Sequence, residues 1–167
     1  MSRLRRLQVT GKTFFITCNL LPVRTPLTET DFEALAGAIV RVRERRGFFF
    51  TGYVFMPDHW HAILIPKAGD VLPNLMDAVK VAATFSVNRL CHTKGQLWQP
   101  RYFDRIVRNV REYHKTTEYM HLNPVRRGLV GKPEDWLWSS IHSHGGPGPV
   151  RLPVDRVILP ADENTPL

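Results

Sequence analysis

The chain of 167 residues carries 23 Lys and Arg against 15 Asp and Glu, for a formal net charge of +8, and 43% of its residues are hydrophobic. This content is enough for one domain with an adequate core, which we place at residues 1–144, followed by an extended or flexible tail over residues 145–167. We find no long apolar run, no signal peptide and no disulfide spacing, so we expect a cytoplasmic protein without a membrane partner. The positive net charge favours phosphate-rich partners such as nucleic acids.

Hydrophobic periodicity predicts, in chain order, a strand over 13–20, a helix over 30–46, strands over 48–56 and 59–66, a helix over 72–92, a strand over 98–106 and a helix over 111–123. Thr28 or Thr30 is expected to cap the first helix, and Gly47 to end it. Pro124 is expected to end the last helix, because the residue before a proline avoids the helical conformation. The β-α-β-β-α-β order is ferredoxin-like and belongs to the α+β class. It predicts an antiparallel sheet with helices packed on one face, followed by a C-terminal helix.

His59 and His61 are separated by one residue inside an apolar run that is typical of a buried strand. Because side chains alternate along a strand, both imidazoles leave the same face of the sheet and could share one cation or one phosphate. The alternative is two structural histidines, each paired with a carbonyl or a carboxylate. The two cysteines of the chain are far apart in sequence and do not have the spacing that would complete a zinc site.

Tyr119 and Asn123 lie four residues apart on the last predicted helix, which places a phenol and an amide on one face, one turn apart. The amide oxygen could join a metal, and the phenol could attack a phosphate held by that metal. The alternative is that Tyr119 faces the core and Asn123 only caps the helix. Tyr113 is a rival nucleophile, but its neighbour one turn later is Thr117, a poorer metal ligand than an amide.

Basic residues cluster along the chain, and three clusters could line one groove: Arg3, Arg5 and Arg6; Arg41, Arg43, Arg45 and Arg46; Arg101, Arg105, Arg108 and Arg111. The alternative for the run from Arg41 to Arg46 is a solvated helix face. The arginines that we expect to contact nucleic acid are Arg3, Arg5, Arg6, Arg101, Arg105, Arg108, Arg126 and Arg127. Candidate surfaces for stacking bases are Trp60, Trp98, Tyr102 and Phe103, with burial in the core as the default for Trp60 and Phe103.

Four segments, taken together in their order and spacing, carry a family resemblance. They are Tyr-Val-Phe-Met-Pro-Asp-His-Trp-His at 53–61, Leu-Trp-Gln-Pro-Arg-Tyr-Phe-Asp at 97–104, Tyr-Met-His-Leu-Asn-Pro-Val-Arg-Arg-Gly-Leu-Val at 119–130 and Trp-Leu-Trp-Ser-Ser at 136–140. The chain resembles the single-tyrosine transposases of the His-hydrophobic-His superfamily, and among them the REP-associated tyrosine transposases, over roughly residues 12–142. Asp58 stands where members of that family usually carry Asn, and Asn123 stands where insertion-sequence relatives generally carry Gln.

The resemblance implies a metal-dependent single-stranded DNA endonuclease and strand transferase that recognises hairpins of repeated palindromes. It implies Mg²⁺ or Mn²⁺ held by His59, His61 and Asn123, attack by Tyr119, and a 5′-phosphotyrosine intermediate with a free 3′-hydroxyl. It also favours a monomer that acts in cis over a homodimer. Two other functions stay open from the residues alone: a hairpin-binding module without catalysis, and a metal-dependent phosphodiesterase that uses water as the nucleophile.

Overall fold

The computed structural model describes residues 7–8 and 11–159 and confirms the predicted α+β class. The elements, in chain order, are β1 (Leu7–Gln8), β2 (Thr13–Asn19), α1 (Glu29–Arg46), β3 (Phe49–Phe55), β4 (His59–Ile65), α2 (Leu72–Cys91), β5 (Phe103–Val107), α3 (Val110–Arg126) and β6 (Val157–Ile158). Two short 3₁₀ helices, Pro133–Asp135 and Ser140–His144, follow α3.

The main sheet has four strands in the order β3-β4-β2-β5, and every neighbouring pair is antiparallel. This is the ferredoxin-like arrangement that the element order predicts. The strand with the two histidines, β4, lies inside the sheet between β3 and β2, and His61 is paired with Thr17. The short strands β1 and β6 pair with each other in parallel.

The two faces of the sheet have separate apolar clusters. On one face, residues of β2 and β4 pack with α1 and α2 around Trp60, Leu35 and Val79. On the other face, Phe15 and Ile63 pack with α3, which contributes Met120. The helices α1 and α2 therefore share one face as predicted, and the helix that carries Tyr119 covers the opposite face.

Local sequence determines where α1 begins and ends. Thr28 is its N-cap: the hydroxyl accepts from the backbone N–H of Asp31, and the Asp31 carboxylate accepts from the backbone N–H of Thr28 at 2.8 Å. Gly47 ends the helix in the left-handed conformation, with φ 71°. Of the two threonines proposed as the cap, the structure selects Thr28.

Two predicted boundaries differ from the structure by more than one residue, and both errors involve proline. The helix α3 does not stop before Pro124 but continues to Arg126, because Asn123 and Pro124 are buried and the N–H of Arg127 still closes a turn on the carbonyl of Asn123 at 3.0 Å. The strand β5 begins at Phe103 rather than at residue 98. Pro100 has no N–H to donate to a ladder, so the stretch before β5 makes only an isolated bridge, from Trp98 to Leu20.

The described part of the tail packs on the domain. Leu152 is buried in the core, and the carboxylate of Asp155 accepts from the N–H of Phe50 and pairs with Arg43 at 2.6 Å. The division of the chain at residue 144 stays a prediction. Among the described residues, no helix is long and apolar enough to cross a membrane.

Candidate metal centre and tyrosine nucleophile

His59 and His61 meet on the sheet face beneath α3, as their alternation predicts. Each is 4% exposed, and their Nε2 atoms are 3.2 Å apart. The Nδ1 of His59 donates to the Asp58 carboxylate at 2.6 Å, and the Nδ1 of His61 bonds the Thr17 hydroxyl at 2.8 Å. An ionised carboxylate only accepts, so the His59 proton lies on Nδ1 and leaves a lone pair on Nε2. When the Thr17 hydroxyl accepts from Nδ1 of His61, the lone pair of that ring also lies on Nε2. Two Nε2 lone pairs then face one point, which suits a bound cation.

Burial keeps this pair of imidazoles neutral. It lowers the pKa of His61 to about 3, helped by the nearby charge of a protonated His59, and it lowers the pKa of His59 against the opposing pull of Asp58. Burial acts to raise the pKa of Asp58, but the hydrogen bond and charge of His59 and the charge of Arg127 hold it below its ordinary value. Both histidines are therefore in the deprotonated form that binds metals at neutral pH.

The third polar group at this point comes from α3. The side-chain amide of Asn123 is buried, and its Nδ2 donates to Nε2 of His61 at 2.9 Å. A half-turn of the amide exchanges its nitrogen and oxygen, which brings Oδ1 to the same point as a metal ligand. Within the described ranges, no three His, Cys, Asp or Glu side chains gather as a metal site. The groups that could hold a cation at this point are two imidazoles and one amide.

Asp58, which stands where relatives usually carry Asn, contacts two neighbouring side chains. Its Oδ1 is bonded to the outer nitrogen of His59, and its Oδ2 lies 3.4 Å from Arg127. Both oxygens therefore serve neighbouring side chains. The carboxylate orients His59, which is the supporting role that carboxylates commonly play behind metal-bound histidines.

Tyr119 lies beside the histidines and is accessible. Its side chain is 43% exposed, its ring centroid is 5.8 Å from that of His61, and the guanidinium of Arg126 lies 5.1 Å from the ring centroid. Tyr113, in contrast, is partly buried. Burial raises its pKa, and its hydroxyl donates to the carbonyl of Thr51 at 3.1 Å. Of these two tyrosines, Tyr119 is the one whose exposed ring contacts His61.

Three of the predicted arginines surround the site. Arg126 lies over Tyr119, Arg127 lies near Asp58, and Arg105 donates to the Thr116 hydroxyl at 2.6 Å. Arg101, before β5 in the chain, and Arg108, directly after it, are both exposed. Arg3, Arg5 and Arg6 lie outside the described residues.

The cluster from Arg41 to Arg46 does not line the same groove, which corrects one prediction. It belongs to α1, on the other face of the sheet. Arg43 and Arg46 pair with Asp155 and Asp70 at 2.6 Å and 2.7 Å. These arginines bind the tail and the start of α2 to the domain.

The aromatic candidates divide by exposure. Trp60 and Trp98 are buried in the core and present no face to a base. Phe103, for which burial was the default, is 55% exposed because β5 is an edge strand. Thr17 was missed altogether. Its signal is its pairing with His61, which depends on strand register and is not visible in the local sequence.

Comparisons with known proteins identify the family of this chain. The family described as "Transposase IS200 like" matches residues 23–123. The REP-associated tyrosine transposase of Escherichia coli (strain K12) is 33% identical over 143 residues, which cover 85% of this chain and 84% of that protein. A solved structure of a REP-associated tyrosine transposase bound to a REP hairpin superposes with a TM-score of 0.71 and 30% identity, and the match covers 100% of both chains. The chain therefore belongs to the IS200-like transposase family, as one of its REP-associated tyrosine transposases.

Proposed function

We propose that the chain is a metal-dependent endonuclease and strand transferase for single-stranded DNA that recognises hairpins of repeated palindromes. In this proposal Tyr119 is the nucleophile, and His59, His61 and Asn123 hold Mg²⁺ or Mn²⁺. The observation that carries it is the convergence of two buried, neutral Nε2 atoms and one amide beside an accessible phenol. The solved relative bound to a REP hairpin supports the choice of DNA partner.

We also propose that the protein acts as a monomer, in cis, in the cytoplasm. The support for cis action is that the ring of Tyr119 makes an edge contact with His61 of its own chain, at 5.8 Å between ring centroids. A tyrosine that served the site of a partner subunit would not need this contact.

The donor set favours Mn²⁺ over Mg²⁺. Imidazole nitrogen is a softer ligand than the oxygens that Mg²⁺ prefers, and this site offers two imidazoles and one amide oxygen. When bound, the cation would neutralise charge on a non-bridging oxygen of the scissile phosphate and polarise the phosphorus.

The chain's own residues account for the remaining chemistry. The phenol oxygen of Tyr119 forms a bond to phosphorus as the bond to the 3′-oxygen breaks, and the phenol proton is passed on balance to the departing 3′-hydroxyl. The phosphate stays a diester, now joined to Tyr119 and to the 5′-oxygen of the next nucleotide. Because no ester bond is lost, the 3′-hydroxyl can attack the phosphotyrosine and rejoin the strand. The guanidinium of Arg126, 5.1 Å from the ring centroid, stabilises the developing phenolate.

The test is a denaturing gel of protein incubated with Mn²⁺ or Mg²⁺ and labelled hairpins from repeats that flank its gene. We expect a protein-DNA adduct that survives denaturation and in which the protein is joined to the fragment with the 5′ phosphate at the cut. This adduct should disappear in Tyr119→Phe and His59→Ala. Tyr113→Phe is the matched control, since it removes a hydroxyl that is bonded to Thr51, and it should leave the adduct intact.

Each alternative function gives a different gel. Hairpin binding without adduct or cleavage in the wild-type protein would favour a binding module. Cleavage that continues in Tyr119→Phe without an adduct would favour a phosphodiesterase that uses water. An adduct that disappears only in Tyr113→Phe would move the nucleophile to the other tyrosine.

A further inference from the structure

Phe103 is an exposed aromatic residue on the same face of the sheet as the histidines. It is the first residue of β5, its side chain is 55% exposed, and it belongs to neither apolar cluster of the fold. Core packing therefore does not explain a phenylalanine here. An exposed aromatic ring next to a basic site is the usual platform on which single-stranded nucleic acids stack their bases.

Strand register places this ring close to the reacting phosphate. His61 is paired with Thr17, and Thr17 is paired with Phe103, so the three residues form one row across β4, β2 and β5. Neighbouring strands are about 4.8 Å apart, which puts the backbone of Phe103 roughly 10 Å from that of His61. A duplex strand rises about 3.4 Å per nucleotide and an extended strand rises more, so this span is at most about three nucleotides.

The space between the two residues is lined with groups that suit a single strand. Phe15 stacks on His61 at 5.2 Å between ring centroids and meets the edge of Phe103 at 6.4 Å. The guanidinium of Arg105 lies 5.1 Å from the Phe15 ring centroid, on the same face. Arg105 is also two residues from Phe103 along β5 and leaves the same face, so the strand offers one group for a phosphate and one exposed ring for a base.

We propose that Phe103 is the stacking platform for a nucleobase of the single-stranded DNA that flanks the scissile phosphate. This inference rests on the proposed function, because it assumes that single-stranded DNA crosses the histidine site. The platform reads the π face of a base, so it tolerates any sequence and holds the strand in register for attack.

The first test measures the affinity of single-stranded DNA with hairpin flanks, in the presence of Mn²⁺, for proteins that all carry Tyr119→Phe so that no covalent product forms. Phe103→Ala should raise the dissociation constant roughly 5- to 100-fold, which is the loss of affinity typical of one stacked base. Phe103→Leu keeps an apolar side chain without a π face and should lose nearly as much, whereas Phe103→Tyr should bind as the parent does. Phe85→Ala is the matched control, because Phe85 is 67% exposed on α2, across the sheet from the site, and it should leave binding unchanged.

The second test locates the stacked base. Oligonucleotides with 5-iodouracil at each unpaired position in turn are irradiated in complex with the protein, and the cross-linked tryptic peptides are sequenced. We expect a cross-link to Phe103 from positions within a few nucleotides of the cut, and its loss in Phe103→Leu.

The outcomes separate this inference from the function on which it rests. Covalent cleavage by the wild type, with Phe103→Ala binding as tightly as Phe85→Ala, would overturn the platform and leave the nuclease standing. Binding that depends on Phe103, together with a protein carrying the native Tyr119 that forms no adduct, would support the platform and overturn the nuclease. A wild-type protein that does not bind single-stranded DNA would overturn both.

Discussion

The residues that orient the histidines are as informative as the histidines themselves. Thr17 bonds Nδ1 of His61 at 2.8 Å, and Asp58 bonds Nδ1 of His59 at 2.6 Å, so each ring is held with Nε2 directed at the shared point. The Asp58 carboxylate accepts the hydrogen bond from His59, as the side-chain oxygen of an asparagine at this position could also do. The residue before the first histidine therefore orients that histidine, and the negative charge of Asp58 makes the His59 imidazole a more basic ligand.

Removing the Thr17 hydroxyl should weaken metal binding while leaving the fold intact. In Thr17→Val, Nδ1 of His61 loses its partner, and we expect the affinity for Mn²⁺ to fall roughly 10- to 100-fold, the usual effect of deleting a supporting hydrogen bond. Calorimetric titration with Mn²⁺ measures this directly.

A matched control is available in β3, on the other side of β4 from Thr17. The buried Thr51 hydroxyl donates to the carbonyl of Ile63 at 3.3 Å and touches neither histidine. Thr51→Val makes the same chemical change and should leave Mn²⁺ affinity at the wild-type value. Equal losses in the two variants would show that Thr17 acts only through general stability.

At the scale of elements, the site depends on how α3 is seated on the sheet. His121, two residues after Tyr119, is buried and bonds the Ser140 hydroxyl at 2.9 Å, and that hydroxyl accepts from the backbone N–H of Tyr53 at 3.0 Å. Gly52 allows the close approach, since a Cβ there would lie 3.0 Å from Cε of Met120. The height of α3 above β3 is thus fixed by groups that do not touch the metal site.

Loss of this link should slow chemistry more than it weakens DNA binding. His121→Ala frees α3 to shift, and a displacement near 1 Å costs up to about 100-fold in rate, so we expect adduct formation at saturating DNA to fall by about that factor with little change in affinity. His121→Gln retains an acceptor for Ser140 and should recover most of the rate.

His142 provides the control for this seating. It is equally buried in the 3₁₀ helix but bonds the Trp136 carbonyl and the N–H of Gly148 rather than α3. His142→Ala should lower stability without the selective loss of rate. Parallel losses of rate and stability in His121→Ala, His121→Gln and His142→Ala would contradict a positioning role.

Sequence periodicity predicted those parts of the site that lie within one element. His59 and His61 share a face because a strand alternates, and Tyr119 and Asn123 share a face because four residues make one helical turn. The residues that join different elements were not predictable in this way. Thr17 depends on the register of β2 against β4, and the link from His121 to Ser140 depends on how α3 packs, both of which are set by tertiary contacts. Pro124 misled the prediction for the same reason, since burial of Asn123 and Pro124 outweighs the local penalty.

For the molecule as a whole, buried neutral histidines make stability depend on pH. Burial lowers the pKa of His61 to about 3 and that of His121 to about 4, helped for His121 by the charges of His144 and His142. Unfolded histidines take up protons below about pH 6.5. Between that pH and about pH 4 the unfolded state binds more protons, so the free energy of unfolding falls as pH falls, by at most about 1.4 kcal/mol per pH unit for each histidine.

Urea denaturation between pH 7.5 and pH 4.5 tests this expectation. The free energy of unfolding should decline on the acid side of about pH 6.5, and His121→Gln should decline less steeply because it removes one titrating group. The same slope in His121→Gln and the wild type would contradict the assignment of a neutral His121 in the folded protein.

Mass spectrometry of the purified adduct would show whether Tyr119 becomes covalently joined to DNA. Trypsin cuts after Arg111, Lys115 and Arg126, so Tyr113 and Tyr119 fall in separate peptides. After nuclease trimming, we predict a 5′-linked phosphonucleotide on Tyr119 in the peptide of residues 116–126. The same modification on Tyr113 in the peptide of residues 112–115, or cleaved DNA with neither peptide modified, would contradict the proposed mechanism.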